Sequence, residues 1–186
     1  IVAFFGEIME YKIIRHHKRK NLLITVNPMG EVTVKAGLRT TDEYIENFVK
    51  AKTDWIIKQQ KYFENKYHRR ITVNKEQLAR IKKELLPQMT ELVQKYADIM
   101  GVEAKGVKIT SAEKRWGSCS SKNTICFSYR CAFLSQKCKE YIVIHELSHI
   151  SEFNHSKKFY DVVERYMPDY KSAEKELDGY YIHLQK

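Results

Sequence analysis

His145-Glu146-Leu147-Ser148-His149 stands in a segment whose apolar residues, among them Ile142, Leu147 and Ile150, recur at helical spacing. Positions i and i+4 of a helix share a face one turn apart. Both imidazoles can therefore reach one ion at about 2.0–2.1 Å, while the carboxylate at i+1 stands beside it as a candidate general base. This is the H-E-x-x-H pattern of zinc hydrolases, and on this composition it arises by chance roughly 0.02 times in a chain of this length.

A catalytic zinc site commonly takes a third protein ligand and keeps the fourth position open. His155, six positions after His149, is the favoured candidate: a left-handed Asn154 ending the helix would reverse the chain and bring the imidazole back, with Ser156 capping the next helix. The spacing equals that of the metzincin pattern, but Glu152 stands where that pattern has glycine and no Met-turn is evident, so the chain is not read as a metzincin. A carboxylate from a later helix, Glu164 or Glu174, is the competing ligand. Negative charge developing on a tetrahedral oxygen would be met by a further donor, for which Arg115, Tyr129 and Tyr160 are candidates. Trp116 and Arg115 also have simpler roles, Trp116 packing under its loop and Arg115 pairing with a carboxylate or capping a helix.

Arg115-Trp116-Gly117-Ser118-Cys119-Ser120, then the H-E-x-x-H segment, then Asn154-His155-Ser156 with Phe159 and Tyr160, resembles the YgjP-like metallopeptidase family, related to SprT-like zinc proteases. The resemblance extends upstream to a basic segment of small strands and a long helix with a central Trp, here Trp55. It implies a minimal zincin fold, His145, His149 and His155 as zinc (Zn2+) ligands, and Glu146 as the catalytic glutamate. Where such proteins often carry Trp, this chain has Tyr160, a departure that touches packing rather than chemistry.

Around this centre the sequence reads as an α+β protein. In residues 1–70, Tyr11–Ile13, Leu22–Val26 and Val32–Val34 alternate as strands of a small antiparallel meander, with Arg15–Lys20 as its first turn. One long helix then runs from a capping box at Thr40 and Glu43 to about Asn65, and a polar linker, 64–70, marks a domain boundary. Residues 71–186 form the zincin-like metalloprotease core. They comprise a helix from Leu78 to Gly101 kinked at Pro87, strands at Val107–Thr110 and Thr124–Arg130 around a polar loop 117–121, and helices near 136–152, 157–167 and 169–184. The strand at Thr124–Arg130 is the edge expected to pair with an extended peptide.

Composition narrows the function classes. The 186 residues are 43% apolar and 30% charged, with only 7 Gly and 3 Pro, which excludes collagen-like and low-complexity chains. No run of about 18 apolar residues exists, so no membrane span is expected. The chain begins Ile1-Val2-Ala3-Phe4-Phe5 without an initiator Met or a basic leader, and no signal peptide is read in it. Cys119, Cys126, Cys131 and Cys138 match neither a zinc knuckle nor a disulfide framework, so they are read as free packing thiols in a cytoplasmic protein. His16, His17, His68 and His183 have no partner at ligand spacing and are read as surface residues.

The net charge of +10 is uneven: residues 1–70 carry 14 basic against 8 acidic side chains, and residues 116–186 carry 10 against 9. A basic upstream half suits an anionic partner, nucleic acid or nucleotide, alongside a peptide or protein substrate. Two alternatives to peptide hydrolysis follow: a metal-dependent nucleotide (nucleoside triphosphate) hydrolase, and a DNA-binding protease acting on DNA-associated proteins.

Overall fold

Asn27-Pro28-Met29-Gly30 closes a tight turn because Gly30 adopts φ 83 and the Asn27 side-chain oxygen accepts from the N–H groups of Met29 and Glu31, both at 3.0 Å. The computed structural model describes residues 2–4 and 7–185; of the opening Ile1–Phe5, Ile1 and Phe5 lie outside the described residues. The chain divides into two units, Ile1–Arg70 and Ile71–Lys186.

The first unit opens with β1 (Val2–Phe4) and β2 (Glu7–Met9), an antiparallel pair that the sequence reading did not include. Next come β3 (Tyr11–His16), β4 (Leu23–Val26) and β5 (Val32–Gly37). These three are not an antiparallel meander. β5 is central, antiparallel to β4 across the Asn27–Gly30 turn but parallel to β3. A long-range contact accompanies this pairing. At the end of β3 the Arg15 guanidinium donates to the carbonyls of Gly37 (3.2 Å) and Thr40 (2.6 Å) and to Asp42 (2.5 Å), which is possible because the two strands end on the same side.

Two helices follow where one was expected: α1 (Asp42–Ala51) and α2 (Thr53–Lys66). At Lys52 (φ −112, ψ 7) the N–H bonds the Val49 carbonyl at 3.0 Å, three residues back, and the Thr53 hydroxyl takes the same carbonyl at 3.3 Å. This side-chain competition ends the first helix. The cap is Thr41 rather than Thr40, its hydroxyl accepting from the Tyr44 N–H at 3.3 Å. Ile24, Val32, Val34, Ala36, Ile45, Val49 and Ile56 make the core of this unit.

The expected linker is mostly structured. α2 extends through it to Lys66, whose ammonium lies over the Tyr62 and Tyr67 rings, and β6 (Arg69–Val73) begins three residues later and crosses the unit boundary. In the second unit α3 (Lys75–Met100) starts on an Asn74–Gln77 capping box, stays helical through Pro87, and stops at Gly101 in the left-handed conformation, φ 67. A three-stranded sheet comes next: β7 (Gly106–Thr110), β8 (Gly117–Cys119) and β9 (Thr124–Ser128), in the order β7-β9-β8. Thus β9 is the central strand, and the edge on the cleft side is β8, which lies inside the segment read as a loop. β9 ends at Ser128, whose hydroxyl accepts from the Arg130 N–H and starts a 3-10 helix, Tyr129–Phe133.

α4 (Gln136–Ser148), α5 (Lys157–Tyr166) and α6 (Tyr170–Leu177) follow, but the last expected helix is cut short. After Gly179 the chain turns into β10 (Tyr180–Leu184), which pairs with β6. Tyr-Tyr-Ile-His-Leu alternates between buried and half-buried positions, the period of a strand. His183, read as a surface residue, sits here with its Nδ1 buried and without a hydrogen-bond partner. The core of this unit joins Leu85, Met89 and Val93 of α3, Ile125 and Phe127 of β9, and the buried sides of α4, α5 and α6. All four cysteines are free thiols. Burial pushes Cys131 up to about 12 and Cys138 to about 11, as suits packing residues. Among the described residues no helix is long and apolar enough to cross a membrane.

Candidate metal centre

α4 is capped by Ser135, whose hydroxyl accepts from the Cys138 N–H at 3.2 Å, and is buried nearly all round through Tyr141, Ile142, Val143, Ile144 and Leu147. A helix enclosed on every side has no solvent face on which to place polar groups. His145 and Glu146 therefore stand out. Glu146 is only 6% exposed. Burial pushes its carboxyl up to about 7, against the opposing pull of the Arg115 charge and a hydrogen bond from the Cys119 N–H.

Helix α4 ends at Ser148, earlier than expected, with His149 as its C-cap. Asn154 is not left-handed, since among the described non-glycine residues only Asn123 has positive φ. Main-chain bonds turn the chain instead: the N–H groups of Ser151 and Glu152 both reach the Ser148 carbonyl, at 3.2 and 2.9 Å, and the Ser156 N–H reaches the Asn154 carbonyl at 2.7 Å. The result is the one the sequence spacing anticipates. His155 Nε2 lies 3.0 Å from His145 Nε2, and ligand nitrogens of His145, His149 and His155 all fall within 4.8 Å of one another. Donors about 2.0–2.1 Å from a tetrahedral ion would stand about 3.3 Å apart, so the three imidazoles fit a zinc ion with little adjustment.

The Nδ1 atoms of His145 and His149 are also engaged. His149 Nδ1 lies 3.2 Å from the Glu152 carbonyl, and His145 Nδ1 faces the Tyr141 hydroxyl at 3.4 Å, which donates to Glu174 Oε1 at 2.6 Å. These contacts fix the orientation of the His145 and His149 rings, whose remaining nitrogens could hold an ion. Burial and the neighbouring His149 and His155 charges hold His145 down to about 4, while burial is the main cause that lowers His149. Neutral imidazole is the form that ligates. Phe159, fully buried, packs under all three rings with centroids 4.8, 4.5 and 4.7 Å from those of His145, His149 and His155. Phe159→Ala is expected to cost about 3–5 kcal/mol by denaturant unfolding. A loss under about 1 kcal/mol would mean that the histidines hold their arrangement unaided.

The imidazoles line a cleft of about 840 Å³ together with Arg115, Ser118 and Cys119, with Glu174 and Leu177 of α6, and with Asp178 that follows it. A family model described as YgjP-like, metallopeptidase domain, matches residues 20–81 and 72–180. The chain belongs to the YgjP-like metallopeptidase family. Two solved structures are similar to part of this YgjP-like chain. One is the metallopeptidase zymogen of Pyrococcus abyssi abylysin, 26% identical, with a TM-score of 0.45 over 48% of this chain and 90% of that one. The other is the metallopeptidase zymogen of Methanocaldococcus jannaschii jannalysin, 23% identical, with a TM-score of 0.42 over the same shares. No curated protein sequence matches the chain.

The remaining candidates in this YgjP-like domain separate cleanly. Arg115 lines the cleft. Tyr129 does not reach it: the side chain is fully buried and its hydroxyl has no hydrogen-bond partner, because the 3-10 helix after Ser128 turns it inward. Tyr160 stacks on Tyr170, with its ring centroid 6.3 Å from that of His155, and is not among the residues lining the cleft. Trp116 lies under the Arg130 guanidinium, 4.0 Å from its ring centroid, forming a wall. Glu164 is exposed on α5, and Glu174 bonds Tyr141 rather than joining the histidine group. Sequence reading missed Tyr141 although its place at i−4 from His145, on the same helix face, was a usable signal.

Proposed function

We propose that the chain is a zinc-dependent peptidase in which His145, His149 and His155 hold the ion and Glu146 is the general base. The observation that carries this reading is the convergence of three imidazoles beside a buried carboxylate at the floor of an 840 Å³ cleft. Three histidines with one side open to a cleft form a catalytic rather than a closed structural donor set. When bound, zinc supplies a Lewis acid that lowers the pKa of water toward about 7 and polarises a carbonyl oxygen.

The chain supplies the rest. Glu146 takes a proton from the water that attacks the scissile carbonyl and passes it to the leaving amine. An extended peptide adds to the free edge of β8, main chain to main chain, and so lies beside Glu146. Arg115, which lines the cleft, would donate to the oxyanion, and Phe153, 74% exposed, would offer an apolar contact to a substrate side chain.

The test is elemental analysis of the untagged protein together with cleavage of a fluorogenic peptide mixture. About one zinc per chain and cleavage abolished by a chelator and restored by zinc are expected. Near-zero metal that added zinc does not restore would sink the reading. Phosphate release from nucleoside triphosphates without peptide cleavage would replace it with nucleotide hydrolysis. Tyr141→Phe and Glu174→Gln are each expected to weaken zinc binding by about 10–100-fold in competition with a chromophoric chelator. Unchanged affinity would mean that helix α4 alone orients His145.

A further inference from the structure

Gly117 is glycine for want of space rather than for backbone freedom. The described glycines with positive φ are Gly30 and Gly101, so the conformation at Gly117 is one that an L residue can adopt. A Cβ built there would lie 2.5 Å from Glu146 Oε1, 2.7 Å from its Cγ and 2.8 Å from its Cδ. All three contacts belong to one side chain that is only 6% exposed. Two residues along, the Cys119 N–H donates to the same carboxylate.

The strand register explains why that amide is available. The carbonyl of Trp116 accepts from Ser128 and the N–H of Ser120 donates to Thr124, so residues 116 and 120 of the strand and its flanks bond to β9. In an antiparallel ladder alternate residues point their backbone groups to opposite sides, and Gly117 and Cys119 turn theirs to the free edge.

We propose that Gly117 and the Cys119 N–H form a cradle that positions the Glu146 carboxylate: the glycine leaves the room and the amide fixes the oxygen. Gly117 is thereby a positioning residue, acting through Glu146, and the catalytic meaning of the cradle rests on the function proposed above. One strand then sets both the base and the line along which a peptide pairs. A misplacement of the base by about 1 Å is enough to cost on the order of 100-fold in rate.

The experiment is a two-by-two comparison of thermal unfolding, made on the full chain after chelator treatment: the parent, Gly117→Ala, Glu146→Ala and the double variant. Gly117→Ala is expected to lower Tm by about 3–10 °C in the parent, where the new methyl meets the carboxylate, and by less than about 1 °C in the Glu146→Ala background. If Gly117→Ala alone fails to fold and the double variant folds, the cradle stands. Equal losses in both backgrounds, or failure of both to fold, would overturn it. These readouts need neither metal nor substrate, so they decide the cradle even if no peptide is cleaved. On a peptide that the parent cleaves, Gly117→Ala should lower kcat about 10–100-fold with KM within about threefold. A loss carried by KM alone would overturn the positioning role.

Discussion

Glu146→Gln is expected to lower kcat/KM for peptide cleavage by about 10²–10⁴-fold while the protein keeps its zinc. The amide has the carboxylate's shape and lies beside the histidines without joining their group, so the donor set is untouched and only the proton acceptor is lost. The same variant should be more stable than the parent at alkaline pH. The Glu146 carboxyl stands at about 7 in the native state against an ordinary 4.5, mainly through burial. Between those values the native state holds a proton that the unfolded chain has released. The stability carried by the protonated form is therefore complete below about pH 4.5 and is lost as pH rises through 7. At pH 8 the metal-free parent buries a charge at a cost of about 3 kcal/mol that glutamine avoids. Denaturant unfolding of chelator-treated proteins at pH 8 and pH 5 checks this. The advantage of the variant should shrink strongly at pH 5, and an equal difference at both values would show that the carboxyl is not held in its protonated form.

His155→Ala is expected to remove most of the zinc and nearly all of the activity, with little change in the stability of the metal-free chain. The side chain is exposed and sits on the connection between α4 and α5, so its loss opens no cavity. Its role as a ligand is a different matter. If about 10–16 kcal/mol of zinc binding is shared among three or four ligands, one imidazole accounts for about 3–4 kcal/mol, a 10²–10³-fold loss of affinity. Added zinc should raise the Tm of the parent and leave that of His155→Ala nearly unchanged at the same micromolar concentration. A variant that still binds zinc with the parent's affinity would make another cleft residue, Glu174 first among them, the third ligand.

What could be read from the sequence follows from the range of the interactions involved. His145, Glu146 and His149 were legible because helix geometry alone fixes positions i, i+1 and i+4. His155 was legible by distance along the chain, although the turn that returns it uses the Ser148 and Asn154 carbonyls rather than a left-handed Asn154. The parallel pairing of β3 with β5 was not legible, because it joins segments about twenty residues apart, beyond the reach of local alternation. β8 was hidden because Gly-Ser-Cys has the composition of a loop and becomes a strand only through its partner β9. Tyr129 was misplaced because the alternation was carried past Ser128, where the side chain of that serine ends the strand. β10 was read as helix because charged residues at helical spacing run up to Asp178, and the switch of period falls after Gly179.

The pairing of β6 with β10 has a consequence for synthesis. The Gln185 N–H donates to the Val73 carbonyl at 2.8 Å, so the strand before α3 pairs with the strand that follows α6. A chain emerging from the ribosome can complete its first unit early, since β3, β4 and β5 and the helices after them lie within one short span. The second unit has to wait. Until Tyr180–Leu184 has left the exit tunnel, β6 has an open edge beside the start of α3, whose Leu85, Met89 and Val93 are destined for the core. The edge of β6 is closed only once residues 180–184 are free to pair with it.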